Sequence, residues 1–326
     1  MFINPIELLD VMSNDADKIK KAKKRLLREI DLEDGMYEYR GEEITKSQVE
    51  QAIDSLEGNF DAYLYIRCLP GLNKFLSTGD NGDEGLFFGL KDYQGPDAHD
   101  FEVEALISKT FAEQVGRYLK KYPTATNIGN AEIYLDMWVS PVDKPTAYAP
   151  LLDKYKSLVE DVDDAASLIA IRNLPLPNKE IADNLPSYFD SALTDLAWAI
   201  RNRTVDFVNK DQESFANRAK GGSMGPHALN AAGKTSLKYI NTGIELLQRV
   251  IGWKVQQGDK LSEDLKQLTG LKKQISDAMR MLELRTISNT MSQNYRPTTY
   301  QSQDNSGCGW IIAVAIILFI IIAANS

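Results

Sequence analysis

The amino-acid sequence predicts a mainly α-helical protein, with a small three-helix head, a helical-bundle body and a single C-terminal transmembrane helix. Three observations predict this class. Apolar residues recur at steps of three and four through most of the body, which is the spacing of one helix face. The N-terminal region contains three shorter stretches of the same kind, and the last stretch of the chain contains no charged residue.

The same patterns divide the 326 residues into five segments. Residues 1–58 form the head, and residues 59–147 form a mixed, mostly helical connecting region. Residues 148–291 are predicted to form a helical bundle that ends in an antiparallel hairpin. A polar tether over residues 292–306 then leads to a tail anchor over residues 307–326.

Composition narrows the classes of function. The chain has 37 basic and 46 acidic residues, a net charge of −9 and a pI of about 5.0, which argues against general binding of nucleic acid. Its two cysteines, Cys68 and Cys308, support neither a disulfide framework nor a zinc site, and a reducing compartment is expected. No basic segment leads into an apolar run at the N-terminus, so we expect no secretory signal and a body in the cytosol.

The head consists of NPIELLDV, then DADKIKKAKKRLLREI and, after a loop, ITKSQVEQAIDSL, and each stretch predicts a helix. The buried face of the middle helix is predicted from apolar spacing: Ile19, Ala22, Leu26 and Ile30. Basic residues crowd the rest of its surface, and five are candidate partner-binding side chains: Lys20, Lys21, Lys24, Arg25 and Arg28. They could meet an acidic partner, and simple solvation or contact with anionic lipid are the alternatives.

Residues 1–58 resemble the J-domain, the helical module by which DnaJ-type co-chaperones engage DnaK-type heat-shock ATPases. The resemblance lies in the opening NPxxLL, in a basic second helix of the same length, and in the spacing of Ala22 and Leu26. In that family a His-Pro-Asp tripeptide follows the second helix and triggers the ATPase, whereas the matching positions here are Asp31, Leu32 and Glu33. The resemblance therefore implies a degenerate J-like head, with a DnaK-type chaperone as a candidate partner and without ATPase stimulation.

Two stretches of the connecting region give different predictions. FEVEALISKTFAEQVGRYLKKY, residues 101–122, predicts a helix. AEIYLDMWV, residues 131–139, alternates enough to favour a strand, although a lone strand would have no sheet to join.

The body shows successive apolar stripes at helical spacing. The first follows Pro150, which is expected just ahead of the helix: Leu151, Tyr155, Leu158, Val162, Ala165 and Ile169. The second comprises Phe189, Leu193, Leu196, Ile200 and Phe207. The last two flank a turn bracketed by Gly252 and Gly258: Leu237, Ile240, Ile244, Leu247 and Ile251, then Leu261, Leu265, Leu268, Ile275, Met279 and Leu282. An intramolecular bundle explains these stripes, and a coiled-coil oligomer is the alternative.

The motif AAGKTS, residues 231–236, ends like a phosphate-binding loop. That loop needs a glycine five residues before Gly233, and alanine occupies position 228. We therefore interpret Gly233 to Ser236 as the start of a helix. A membrane-associated nucleotide-dependent enzyme using Lys234 and Thr235 is kept as an alternative. Catalytic residues, metal ligands and cofactors are not predicted, because His99 and His227 lack any partner motif.

The stretch from Trp310 to Ala324 contains no strongly polar side chain, and no charge follows Asp304. Extended to residues 307–326, a helix here spans about 30 Å, the thickness of an average hydrocarbon core. The segment is apolar all round, which favours a membrane over the interior of a soluble domain. The residues expected to form the anchor are Trp310, Ile311, Ile312, Val314, Ile316, Ile317, Leu318, Phe319, Ile320, Ile321 and Ile322. Cys308, beside the anchor, is a candidate acylation site.

These features together predict a membrane-tethered, cytosol-facing adaptor, scaffold or chaperone-like recruiter that acts through protein–protein contacts. Its expected partners are a lipid bilayer and a protein, and its oligomeric state is left open. A helical membrane-remodelling or pore-forming protein is a further alternative.

Overall fold

The computed structural model describes residues 1–81, 85–88, 90, 100–220, 225–253, 255–256 and 258–293. Within these ranges the protein is mainly α-helical, as predicted, and a two-stranded antiparallel hairpin is the only sheet. The chain divides into two compact units, Met1–Lys154 and Tyr155–Ser326.

The described residues of the first unit form the hairpin and eight helices, the last of which continues into the second unit. Its elements are α1 (Pro5–Leu9), α2 (Ala16–Leu32), β1 (Met36–Tyr39), β2 (Glu42–Thr45), α3 (Lys46–Asp54), α4 (Phe60–Cys68), α5 (Pro70–Thr78), α6 (Asp100–Lys121), α7 (Ala125–Trp138) and the first part of α8 (Lys144–Asp163).

The second unit is dominated by three long helices. Its described elements after α8 are α9 (Leu168–Asn173), α10 (Lys179–Asn184), a short 3-10 helix (Ser187–Phe189), α11 (Asp190–Lys220), α12 (Pro226–Ile251) and α13 (Gly258–Gln293).

The hairpin lies where the sequence predicts a loop between the second and third helices of the head. Strand β1 pairs with β2 so that Tyr39 faces Glu42, and Arg40 and Gly41 form the turn with φ values of 54° and 84°. Two successive positive-φ residues give a turn whose twist suits a hairpin, and glycine adopts this conformation at low cost. The dipeptide Arg-Gly between two alternating stretches was the available signal for this element.

Residues 131–138 form part of α7, and Val139 is its C-cap, so the strand predicted over 131–139 is wrong. The buried side chains are Ala131, Tyr134, Leu135 and Trp138, which follow helical spacing, whereas Ile133 is 58% exposed. The helix is capped by Thr124, whose side chain accepts a hydrogen bond of 3.1 Å from the Asn127 N–H. The apparent alternation arose because an aliphatic residue lies on the solvent side of the helix.

Aromatic side chains form the centre of the core of the first unit: Phe75, Phe88, Phe111, Tyr134 and Trp138. The rings of Phe111 and Trp138 meet edge to face at 5.3 Å, and Phe88 and Tyr134 do so at 4.8 Å. Edge-to-face contacts at these distances add to the free energy gained by burying the rings. The core thus joins α5, α6, α7 and the segment 85–88.

Pro150 lies inside α8 rather than ahead of it, because the helix begins six residues earlier, at Lys144. Its ring packs against α6: a Cβ added at Gly116 would lie 3.1 Å from the Pro150 ring and 3.0 Å from the Ala147 carbonyl oxygen. A glycine on α6 therefore makes room for the proline in α8.

The helices α12 and α13 run antiparallel, as the predicted hairpin requires. A Cβ added at Gly243 would lie 3.4 Å from the Leu268 side chain, and one added at Gly233 would lie 2.8 Å from Met279 Sδ. The contact nearer the end of α12 thus falls nearer the start of α13. Apolar residues from the predicted stripes, including Ile240, Leu247 and Leu261, are buried in this region.

Candidate functional site

Helix α2 presents the candidate partner-binding residues. Its first turn is capped by Asp15, whose carboxylate accepts hydrogen bonds from the backbone N–H groups of Asp17 at 3.0 Å and Lys18 at 3.2 Å. Leu26 and Ile30 are buried, as predicted, while Ile19 and Ala22 are partly exposed. The helix is therefore held along one side and exposed along the other.

Two ion pairs fasten α2 to neighbouring elements. The Lys23 Nζ lies 2.7 Å from an Asp54 carboxylate oxygen on α3, and the Lys46 Nζ lies 2.6 Å from Asp31. The hydrogen bond to Asp31 raises the pKa of Lys46 above its ordinary value. These exposed pairs connect α2 to α3, and each contributes little to stability.

All five predicted residues are exposed on α2: Lys20, Lys21, Lys24, Arg25 and Arg28. Arg25 lies 4.0 Å from Glu29. The other four form no ion pair within the described parts of the chain. The structure thus brings the predicted cations together with most of their charge uncompensated.

From Lys20 onward, the exposed side of α2 contains two rows at four-residue spacing, which we call the α2 face; Asp17 and Lys18 in the first turn and Asp31 are also exposed. One row is Lys20, Lys24, Arg28 and Leu32, and the other is Lys21, Arg25, Glu29 and Glu33. Residues four apart are neighbours on a helix, so each row is continuous. Glu29, Leu32 and Glu33 were not predicted to belong to this surface, although they continue the four-residue spacing of the predicted cations.

A hydrogen-bonded network around Glu7 holds the hairpin against α1. The Glu7 carboxylate accepts hydrogen bonds from the Tyr39 hydroxyl at 2.6 Å, from Arg40 at 2.8 and 2.9 Å, and from Asn73 at 3.0 Å. The Tyr39 hydroxyl in turn accepts a hydrogen bond of 3.2 Å from the backbone N–H of Asn4. Charge-assisted bonds of this kind are the stronger ones, so the network rigidifies the scaffold that supports α2.

The network shifts the pKa values of Glu7 and Tyr39, among others. Burial raises the pKa of the Glu7 carboxyl, but the hydrogen bonds from Tyr39, Arg40 and Asn73 outweigh it, and the net pKa lies below its ordinary value. Burial and the hydrogen bond to Glu7 raise the pKa of Tyr39 to about 12. Both shifts favour a charged Glu7 beside a neutral Tyr39 near neutral pH.

The AAGKTS motif lies in the middle of α12, so its interpretation as a helix start is wrong. The helix begins seven residues before Gly233, at Pro226. Lys234 and Thr235 are exposed, and the Thr235 hydroxyl donates to the Ala231 carbonyl at 3.2 Å. Inside a helix the backbone N–H groups are engaged by carbonyls four residues earlier, so they cannot close around a phosphate. Packing explains the glycine, which faces Met279.

A groove of about 520 Å³ lies on the second unit between α8 and α11. Its polar lining, beside Trp198, is Lys156, Glu160, Asp163, Asp195 and Asn202. This lining contains carboxylates, an amine and an amide, but no histidine, thiol or hydroxyl.

Other groups with chemical potential stand apart. His227 is exposed in the first turn of α12, Cys68 is partly exposed in α4, and His99 and Cys308 lie outside the described residues. The described ranges contain no group of three histidine, cysteine, aspartate or glutamate side chains that could hold a metal ion.

The predicted anchor residues, from Trp310 to Ile322, and most of the tether also lie outside the described residues. None of the helices in the described ranges has the length and apolar character needed to cross a membrane. Comparisons with protein-family models, with curated proteins and with solved structures find no match to this chain.

Proposed function

We propose that the protein is a membrane-tethered, cytosol-facing adaptor that recruits a protein partner through its N-terminal head. The tail from residue 307 onward fixes the location, the tether over residues 292–306 gives reach, and the helical body spaces the head from the anchor. Tethering raises the effective concentration of the head at the membrane, so a modest affinity for the partner is sufficient.

The observation that supports recruitment is the uncompensated charge of the α2 face. Lys20, Lys21, Lys24 and Arg28 are exposed and form no ion pair within the described residues. The whole chain has a net charge of −9, so this concentration of cations opposes the general balance. Complementary charge on a partner accelerates encounter and selects among partners.

A DnaK-type chaperone is the candidate partner that the J-like resemblance suggests. The positions of the missing tripeptide are Asp31 and Leu32, in the last turn of α2, and Glu33, at its C-cap. Without the histidine and proline, we expect the head to bind without stimulating ATP hydrolysis. Robust stimulation of a DnaK-type ATPase by the full chain would contradict this part of the proposal.

Capture from detergent extracts tests recruitment. The full chain should retain a protein that the variant Lys24→Glu with Arg28→Glu loses, because the reversal repels an acidic partner. The matched control is Lys74→Glu, which reverses an exposed lysine on α5. Equal capture by all three proteins would show that the α2 face is not the recruiting surface.

A second measurement tests the tether. After expression, the full chain should stay with membranes through alkaline washing, and a chain truncated before Gly307 should be released. If the truncated chain still captures the same partner, location and recognition reside in different segments, as proposed.

A further inference from the structure

We infer that the partner surface recognised by the α2 face is bipolar: acidic opposite the first half of this face, cationic opposite its C-terminal end, with an apolar group between. This inference rests on the proposed function and specifies the chemistry of its partner.

Charge reverses along the helix within a single row. Lys21 and Arg25 are followed at four-residue steps by Glu29 and Glu33, and all four side chains are exposed. After exposed Asp17 in the first turn, the first half of the α2 face therefore presents cations and its C-terminal end presents carboxylates. A uniformly acidic partner would match the first half of the face and be repelled by the second.

The carboxylates at the C-terminal end retain uncompensated charge. Glu33 and Asp34 are exposed and form no ion pair within the described residues, whereas Asp31 is paired with Lys46 at 2.6 Å. Negative charge at the C-terminus of a helix is unfavourable with respect to the helix dipole. A cation supplied by the partner would relieve that repulsion.

An exposed apolar side chain, Leu32, lies between the last cation, Arg28, and the unpaired carboxylates Glu33 and Asp34. Leu32 is 84% exposed and ends the row that contains Lys24 and Arg28. An apolar side chain surrounded by charged groups has the arrangement of an interface anchor with a polar rim.

The same features disfavour an anionic bilayer as the occupant. A membrane surface offers uniform negative charge, which attracts basic residues at about 1 kcal/mol each near the surface but repels carboxylates. Glu29, Glu33 and Asp34 surround Leu32 in sequence, so the one apolar residue of the α2 face would have to enter the headgroups together with them.

The length of the face sets the size of the partner segment. Lys20 and Glu33 are thirteen residues apart, which corresponds to about 20 Å along a helix. A segment of three to four helical turns, with glutamates or aspartates, then one apolar residue, then lysines or arginines, fits this surface.

Binding of defined probes to the full chain tests the inference. The probes are two fluorescent helical peptides that place glutamates, a leucine and lysines along one face, in opposite chain orders, so that either direction of docking is covered. One of them should bind saturably, and both Lys24→Glu and Glu33→Lys should weaken its binding about fivefold. The control Glu57→Lys adds the same charge away from α2, beyond the end of α3, and should leave binding unchanged.

Flotation of the full chain with vesicles tests whether the α2 face binds lipid instead of a protein partner. The full chain is compared on phosphatidylcholine vesicles with and without phosphatidylserine, so that any insertion of the tail contributes to both. If phosphatidylserine increases binding and Glu33→Lys increases it further, the face contacts lipid and the inference is wrong. Absence of peptide binding, or peptide binding that Glu33→Lys does not weaken, also overturns it.

These results are separable from the proposed function. Capture that depends on Lys24 and Arg28 but is indifferent to Glu33→Lys would leave the recruiter intact and refute the bipolar partner. Loss of the dependence on Lys24 and Arg28 would instead refute the recruiting surface itself.

Discussion

The N-terminal region from α1 to α5 and the C-terminal region from α11 to α13 are stabilised by different contacts. In the first, short elements are joined by hydrogen bonds between residues far apart in sequence, such as Glu7 and Asn73. In the second, long helices approach closely at glycines, such as Gly243 beside Thr204. The difference teaches that helical periodicity reports on packing between long helices and says little about a network of buried polar groups.

The largest expected effect on stability comes from an ion pair between α11 and α13 in the C-terminal region. The Arg201 Nε donates to Asp264 at 2.6 Å, and the two side chains are only 18% and 7% exposed. Arg201→Ala leaves the buried carboxylate unpaired, and we expect it to lower the free energy of unfolding by about 3 kcal/mol in urea titrations. The double variant Arg201→Met with Asp264→Leu should recover most of this loss. A loss below about 1 kcal/mol for the single variant would show that apolar packing alone sustains the region.

The next effect is at the centre of the polar network. Glu7→Gln removes the charge that Arg40 pairs with and gives Tyr39 a weaker acceptor. Because the pair is partly exposed, we expect a loss of about 2 kcal/mol, measured by chemical denaturation. Glu57→Gln, at an exposed position, is the control and should change stability by less than about 0.5 kcal/mol. Equal losses of stability for Glu7→Gln and Glu57→Gln would show that the polar network does not stabilise the N-terminal region.

Acid should weaken the N-terminal region through the same residue. The pKa of Glu7 is lower in the folded protein than its ordinary value of 4.5, so its contribution is fully present above that value. The contribution is lost as the pH falls through the folded-state pKa. We therefore expect the stability difference between wild type and Glu7→Gln to shrink between about pH 5 and pH 3. A difference that stays constant over this range would show that the charge of Glu7 is unimportant.

The smallest effect separates two glycines on α12. A Cβ at Gly243 would lie 2.9 Å from Thr204 Cγ2, on a fully buried side chain, whereas one at Gly233 would meet the flexible thioether of Met279. Gly243→Ala should cost about 1–2 kcal/mol, since overpacking outweighs the gain in helix propensity. Gly233→Ala should be within about 0.5 kcal/mol of wild type, because Met279 can move. Thermal melts that reverse this order would contradict the close approach of α11 and α12.

The amount of the fold that can be predicted from the sequence also differs between the two regions. The hairpin of α12 and α13 could be predicted because its apolar residues recur at helical spacing over several turns of each helix. A repeat of that length outweighs a single misleading residue. In α7, one exposed residue, Ile133, was enough to imitate alternation over nine positions. The β-hairpin has only four residues per strand, and its sequence signal was a single Arg-Gly turn.

The candidate site was predictable in part for a related reason. Five cations on one helix are visible in any helical projection, and the structure shows them exposed together. The contribution of Leu32 and Glu33 depends on where α2 ends, and no capping signal in the sequence marks that boundary. The adaptor function, the J-like relationship and the membrane anchor stay predictions that the experiments above address.

The hydrogen bonds around Tyr39 also determine when the N-terminal region can complete its fold during synthesis. Its hydroxyl lies between the Asn4 N–H and the Glu7 carboxylate, and that carboxylate is completed only by Asn73. More than seventy residues must therefore leave the ribosome before α1 can form all of its hydrogen bonds with later parts of the chain. Until then the N-terminal residues of the nascent polypeptide lack these long-range hydrogen bonds.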